Sequence, residues 1–236
     1  AGHDVIVIVK EEKIIETATA KIIYGKYGLD KKSKRYLSKD NRTNFVSTIM
    51  GRIHFHLDWT PLNKCEIVIE CVNENLVLKK EIFGLLHKVT NKKCILASNT
   101  SGFGIGNLAS STNIYRADKI IGMHWFNPPQ IMSLVEVIIT VDDVFCWNKT
   151  SQSTIDKVYE LAKSCEKNPV IVKDSMYYGH VANRIYRALI KEAKEVVKEG
   201  LATEEQINKI TKLGFGFPMG PFEVLDFVGK SSRKAL

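Results

Sequence analysis

The chain predicts an α/β fold: a parallel, helix-covered sheet followed by a smaller, all-helical unit. Two observations carry this expectation. Short apolar, β-branched runs (VIVIV, EIVIECV, CILASN, KIIGMHW) alternate with helix-length stretches as far as Thr140, and buried parallel strands read as near-continuous apolar runs of this kind. After SLVEVIIT the character changes to amphipathic, charge-rich segments. The division is set at 1–148 for the sheet unit and 149–236 for the helical unit.

Taken in order, Val5–Val9 is the first buried-strand run, followed by a helical stretch from Glu11 to Tyr24. Ile53–Leu57 (IHFHL) alternates apolar and polar residues, as a strand does. Glu66–Val72 is a further apolar run, and Glu74 to His87 carries helix periodicity. Cys94–Asn99 is a strand, a polar-ended helix follows, and Lys119–Trp125 is the next strand. In the second unit Ser151–Glu166, Ala182–Lys198 and Glu204–Leu213 read as helices, with PVIVKD (169–174) as one short extended link. Gly102, Gly104 and Gly106 stand between a strand and a helix, the context of a dinucleotide loop. Their spacing is GxGxG rather than GxGxxG, so they read as a glycine-rich turn.

Composition narrows the class. Hydrophobic residues at 44% and charged residues at 25% are ordinary for a globular chain. No run of about 18 apolar residues suggests a membrane span, and VIVIV is too short, with the wrong flanks, for a signal peptide. The five cysteines (Cys65, Cys71, Cys94, Cys146, Cys165) are odd in number and show no CxxC spacing. They fit a reducing cytoplasm without disulfides. His54 and His56 put two imidazoles on one strand face with no third ligand nearby, so no metal is expected. The net charge of +8 concentrates in KKSKRYLSK, Lys31–Lys39. That stretch reads as a solvated helix face, as a patch drawing a polyanionic ligand, or least readily as a nucleic-acid surface, since no recognised module accompanies it.

Five blocks in order, CILASNTS, IIGMHWFNPPQIM, SLVEVI, GHVANRIY and FGFPMGPFEVLDFVG, span much of Lys64 to Gly229. Together the sequence resembles the L-3-hydroxyacyl-CoA dehydrogenase family, including the 3-hydroxybutyryl-CoA dehydrogenases. The resemblance implies a Rossmann-type domain and a helical domain with the catalytic site between them, NAD as cofactor, an acyl-CoA substrate and a homodimer. It implies oxidation of a 3-hydroxyl to a ketone, or the reverse.

Such chemistry needs a base for the hydroxyl proton while hydride leaves carbon. Histidine suits it near neutral pH, and His124 stands near the C-terminal end of a strand, where α/β sheets place ligands. Glu136, twelve residues on, can accept from one ring nitrogen and fix the tautomer. The resemblance gives these two the roles of base and orienter. It matches Ser101 to a residue touching the substrate oxygen and the nicotinamide region, Asn127 to a cofactor contact and Asn183 to a holder of the reacting oxygen. Glu74 and Lys79 match positions lining the dinucleotide site; read alone they are also consistent with solvated helix charges, and Asn183 with a polar residue on a helix face. His180 stands where the family usually has phenylalanine and reads as a packing or surface variant rather than a second base.

The sequence departs from the family pattern in three places. The chain opens at what resembles the family's second strand, without the preceding GxGxxG, and stops soon after DFVG; a fragment of a longer enzyme is the expectation. Val9, followed by Lys10, falls where the family carries an acid for the ribose hydroxyls, which suggests weakened cofactor binding or relaxed discrimination against NADP. The rival readings are a non-catalytic acyl-CoA-binding relic and a related dehydrogenase acting on a free hydroxyacid.

Overall fold

The structure, a computed structural model, describes residues 2–34, 38–141, 149–175 and 178–228, the side chains of 32, 33, 39 and 40 excepted. Part of the basic stretch 31–39, Cys146, the sequence-derived boundary at 148 and the tail 230–236 lie outside the described residues.

The chain runs β1 (Val5–Ile8), α1 (Glu12–Tyr24), α2 (Leu29–Lys34), α3 (Lys39–Met50), β2 (Ile53–His56) and a 3₁₀ turn (Thr60–Lys64). Next come β3 (Ile67–Glu70), α4 (Leu76–Val89), β4 (Ile95–Ser98), α5 (Ile105–Ala109), a second 3₁₀ turn (Ile114–Lys119), β5 (Ile120–Trp125) and β6 (Leu134–Ile139). It continues with α6 (Gln152–Ser164), β7 (Asn168–Lys173), α7 (Val181–Lys198), α8 (Glu204–Phe215) and α9 (Pro221–Val228). Strands β1 and β2 pair in parallel as a two-stranded sheet; the other five form a sheet in the order β3-β4-β5-β6-β7.

In the larger sheet β3, β4 and β5 are parallel, as the apolar runs suggest, but β6 returns antiparallel to β5. The connection, residues 126–133, is too short for the helical crossover a parallel neighbour requires. The segment PVIVKD is no mere link: β7 pairs with β6 along all of Asn168–Lys173. Helix α6 covers that part of the sheet, with Ile155, Val158 and Ala162 packed on Ile121, Met123, Val135 and Val137. Residues 149–173, which the sequence reading gave to the helical unit, therefore pack on the sheet. The reason it was missed is that β7 is an outer strand with mostly exposed or half-buried positions, and such a strand has little apolar periodicity to read.

Strand alternation builds two cores. Leu96, Ile120 and Ile138 meet Phe83 and Leu86 of α4 and Ile105 and Leu108 of α5. Their neighbours Ile95, Ala97, Ile121, Met123, Val135 and Val137 face α6. Because side chains repeat every second residue along a strand, His124 shares the face of Ile120, and Glu136 that of Ile138. Ile6 and Ile8 of β1 pack against the first core.

The helical unit has its own small core of Ala193, Ile207 and Phe222. Helix α8 begins at a capping box, in which Thr203 and Gln206 satisfy each other's backbone N–H, and ends at Gly216 with φ 71°. No helix of the described residues is long and apolar enough to cross a membrane.

Candidate active site

The twelve-residue step from His124 to Glu136 is one hairpin register: the two face each other directly across the antiparallel β5–β6 pair. His124 Nδ1 donates to Glu136 Oε2 at 2.8 Å. Glu136 Oε1 accepts the backbone N–H of Ala182, in the first turn of α7, at 2.9 Å. The histidine is 5% exposed and the glutamate 2%. Burial pushes the Glu136 carboxyl up, but the hydrogen bonds from His124 and Ala182, helped by the nearby imidazole charge, outweigh it and hold the group below its ordinary range. The helix N-terminus favours the same anionic form. Both Glu136 oxygens are thus engaged and the tautomer of His124 is set, with hydrogen on Nδ1. Among the described residues no hydrogen bond engages Nε2, the nitrogen that carries the lone pair in this tautomer.

The loop after β4 carries Ser101 and is held from three sides. Asn99 Oδ1 accepts from Trp125 N at 2.8 Å, which ties the loop to the end of β5. Glu74 Oε1 accepts from the Thr100 hydroxyl and, at 3.0 Å, from Ser101 N. The start of α7 supplies the third side: Gly179 N donates to Gly102 O at 2.9 Å, and Asn183 Nδ2 to Ser101 O at 3.2 Å. His180 Nε2 donates to Thr100 O at 3.1 Å. Gly102 is required here, since a Cβ on it would stand 2.6 Å from the backbone nitrogen of Gly179. The glycine turn therefore serves to dock α7.

His124 and Ser101, at the C-terminal ends of β5 and β4, are tied by Glu136, Glu74 and the start of α7, which carries Asn183, into one hydrogen-bonded cluster. Asn127 lies just beyond β5 and is exposed. Lys79 is not at the surface of this cluster: its side chain is 1% exposed, and Nζ donates to the Glu70 carboxylate at 2.9 and 3.2 Å and to Val72 O at 3.2 Å. It also pairs with Glu74 Oε2 at 3.2 Å, so it reaches the cluster through Glu74.

Sequence reasoning missed Glu70. Buried at 4%, this residue also accepts from Ser98 Oγ at 2.7 Å and Val72 N at 2.6 Å. An acid closing an apolar strand was the available signal, because a buried charge demands a partner. His180, read from the sequence as a packing or surface variant, is a buried residue beside the site. Its imidazole is 3% exposed, stands at the N-cap position of α7 without bonding the helix N–H groups, and has its ring 5.6 Å from that of His124.

Val9 donates its N–H to His56 O at the end of β1, Lys10 is exposed, and the nearest acid, Glu11, is paired with Lys13. Among the described residues no group of three His, Cys, Asp or Glu is placed to hold a metal ion.

Residues 1–175 match the family described as 3-hydroxyacyl-CoA dehydrogenase, NAD binding domain, and residues 179–235 match 3-hydroxyacyl-CoA dehydrogenase, C-terminal domain. The chain is 35% identical over 236 residues to a probable 3-hydroxybutyryl-CoA dehydrogenase of Deinococcus radiodurans, covering 100% of this chain and 78% of that protein. It is 35% identical over 240 residues to the mitochondrial hydroxyacyl-coenzyme A dehydrogenase of Rattus norvegicus, covering 99% of this chain and 71% of that one. Among solved structures, the (S)-3-hydroxybutyryl-CoA dehydrogenase of Ralstonia eutropha superposes with a TM-score of 0.82 at 33% identity, over 96% of this chain and 74% of that one.

Proposed function

Because this chain belongs to the 3-hydroxyacyl-CoA dehydrogenase family, we propose that it interconverts L-3-hydroxyacyl-CoA and 3-oxoacyl-CoA with NAD(H), using His124 as the base. The observation that carries this reading is the buried His124–Glu136 pair, locked at 2.8 Å in strand register with Nε2 left free. In oxidation Nε2 takes the proton of the 3-hydroxyl, and Glu136 stabilises the imidazolium that forms. In reduction the same nitrogen returns the proton to the ketone oxygen. Ser101 and Asn183 hold the reacting oxygen, and the bond from Asn183 to Ser101 O keeps the two in step.

The donor set fits the nicotinamide–ribose end of NAD: a partly exposed carboxylate (Glu74), a hydroxyl (Ser101) and an amide (Asn127) at the C-terminal ends of strands, where α/β sheets take dinucleotides. Lys79 supports that end from beneath by fixing Glu74. When bound, NAD accepts the hydride from the carbinol carbon. No GxGxxG occurs in these 236 residues, so the residues named here account for that end of the cofactor alone.

The two units divide after β7. The helical unit exposes Ile210, Leu213 and Phe215, of which the first two share a face of α8; this apolar stripe suits a homodimer contact in a cytoplasmic enzyme. The test of substrate class compares NADH oxidation driven by acetoacetyl-CoA with that driven by free acetoacetate, in the complete product of this reading frame. Turnover of the thioester with the free acid at least a hundredfold slower, roughly 3 kcal/mol of discrimination, supports the reading. Preference for the free acid, or no turnover of either, overturns it.

A further inference from the structure

His180 is a titratable side chain beside His124 that the reaction as described leaves unused. Its ring lies 5.6 Å from the His124 ring, it is 3% exposed, and its Nε2 donates to Thr100 O at 3.1 Å. Thr100 is the residue before Ser101, and its hydroxyl is bound to Glu74. A single imidazole therefore bridges the start of α7, the Ser101 loop and the space beside the base. We propose that His180 is a positioning residue for the dehydrogenase reaction. As a neutral donor it ties the Thr100–Ser101 backbone to α7, and once protonated it sets a second cation against His124 and ends reduction. This rests on the function proposed above for His124.

Charge and burial around the ring agree with that division. Burial pushes the His180 imidazole down from its ordinary range, and the charge of His124 on β5 pushes it further. Glu136 on β6, Asp174 after β7 and the bond to Thr100 O act the other way, and the net direction is down. His180 is thus neutral through the working range and takes its proton only on the acid side of 6.5.

The direction of the reaction separates the two imidazoles. Reduction needs His124 protonated, so its own ionisation can give only the alkaline limb of the kcat profile. An acid limb in the same profile must come from another group. Glu136 is held below its ordinary carboxylate range, so an acid limb on the acid side of 6.5 is the one expected of His180.

The experiment measures kcat for acetoacetyl-CoA reduction against pH in wild type, His180→Phe and His180→Gln, with circular dichroism at each pH to confirm folding. Wild type is expected to lose activity along that acid limb, and both variants to stay flat through it. At pH 8 the Gln variant, which can still donate to Thr100 O, should keep kcat and KM within about threefold of wild type. A wild type without the acid limb, or a limb unchanged in a folded variant, overturns the proposal. In parallel, an NMR titration of the wild-type imidazole resonances, assigned with the two variants or by labelling, reads His180 directly. Protonation on the acid side of 6.5 supports the proposal, and protonation at or above it overturns the proposal. This second readout still judges His180 if the enzyme turns over no acyl-CoA, a result that counts against the proposed function instead.

Discussion

Replacing Glu136 with Gln keeps the shape of the side chain and removes one acceptor. The carboxylate serves two donors, His124 Nδ1 at 2.8 Å and Ala182 N at 2.9 Å. An amide has one oxygen, and the α7 backbone N–H is the donor that cannot change its nature. The amide oxygen therefore stays with Ala182, and the amide NH₂ turns toward His124 Nδ1. Two N–H groups cannot share that line, so the imidazole moves its hydrogen to Nε2, and that nitrogen stops being a base. Restoring the working tautomer means losing the amide-to-imidazole bond and burying two unmatched donors, together about 4 kcal/mol. At 1.36 kcal/mol per tenfold this is roughly a thousandfold in kcat. Initial rates of NAD reduction with saturating L-3-hydroxybutyryl-CoA measure it, and a thermal melt checks that the variant is folded. A folded Glu136→Gln enzyme within about fivefold of wild type would refute the tautomer reasoning.

Three further outcomes follow from the same geometry. Glu70→Gln leaves the buried Lys79 ammonium without its main counter-charge; a loss of about 3 kcal/mol, seen in calorimetry as a Tm lower by about 6–12 °C, is expected, and an unchanged Tm would count against the buried pair. Gly102→Ala drives a methyl into the backbone of Gly179, so the Ser101 loop and the start of α7 must part. Stability should drop by about 1–3 kcal/mol in denaturant melts, with kcat falling more than the melt alone explains. Glu136 releases its proton more readily folded than unfolded, so the stability it confers is present above 4.5 and is lost as pH falls through its lowered native value. Wild-type Tm should therefore fall more steeply below pH 4.5 than that of Glu136→Gln.

How much the sequence discloses depends on the range of the interaction concerned. The strands of the first core are legible because apolar runs such as CILASN and KIIGMHW mark buried strands on their own. The His124–Glu136 pair is legible for a related reason: both lie in strands close in sequence, and one register brings them face to face. The antiparallel return of β6 and the pairing of β7 are less legible, since outer-strand hydrogen bonds leave no mark on an exposed residue pattern. The bonds that complete the site are less legible still. Ala182 reaches back 46 residues to Glu136, and Asn183 reaches 82 to Ser101. Nothing local in GHVANRI states which oxygens those donors will meet. The same distance hid His180, whose effect depends on a partner 80 residues earlier in the chain. Lys79 misled in the opposite sense, because helix position alone cannot show that its ammonium turns inward to Glu70.

The most direct test of the central claim is kcat for acetoacetyl-CoA reduction in His124→Gln, measured beside the affinity of the same variant for NADH by fluorescence. If His124 is the proton-transferring group, kcat falls at least roughly a thousandfold, an upper part of the range for general acid–base groups, while NADH affinity stays within about threefold. A folded variant that keeps a tenth or more of the wild-type rate, or loses rate only because NADH no longer binds, contradicts the account.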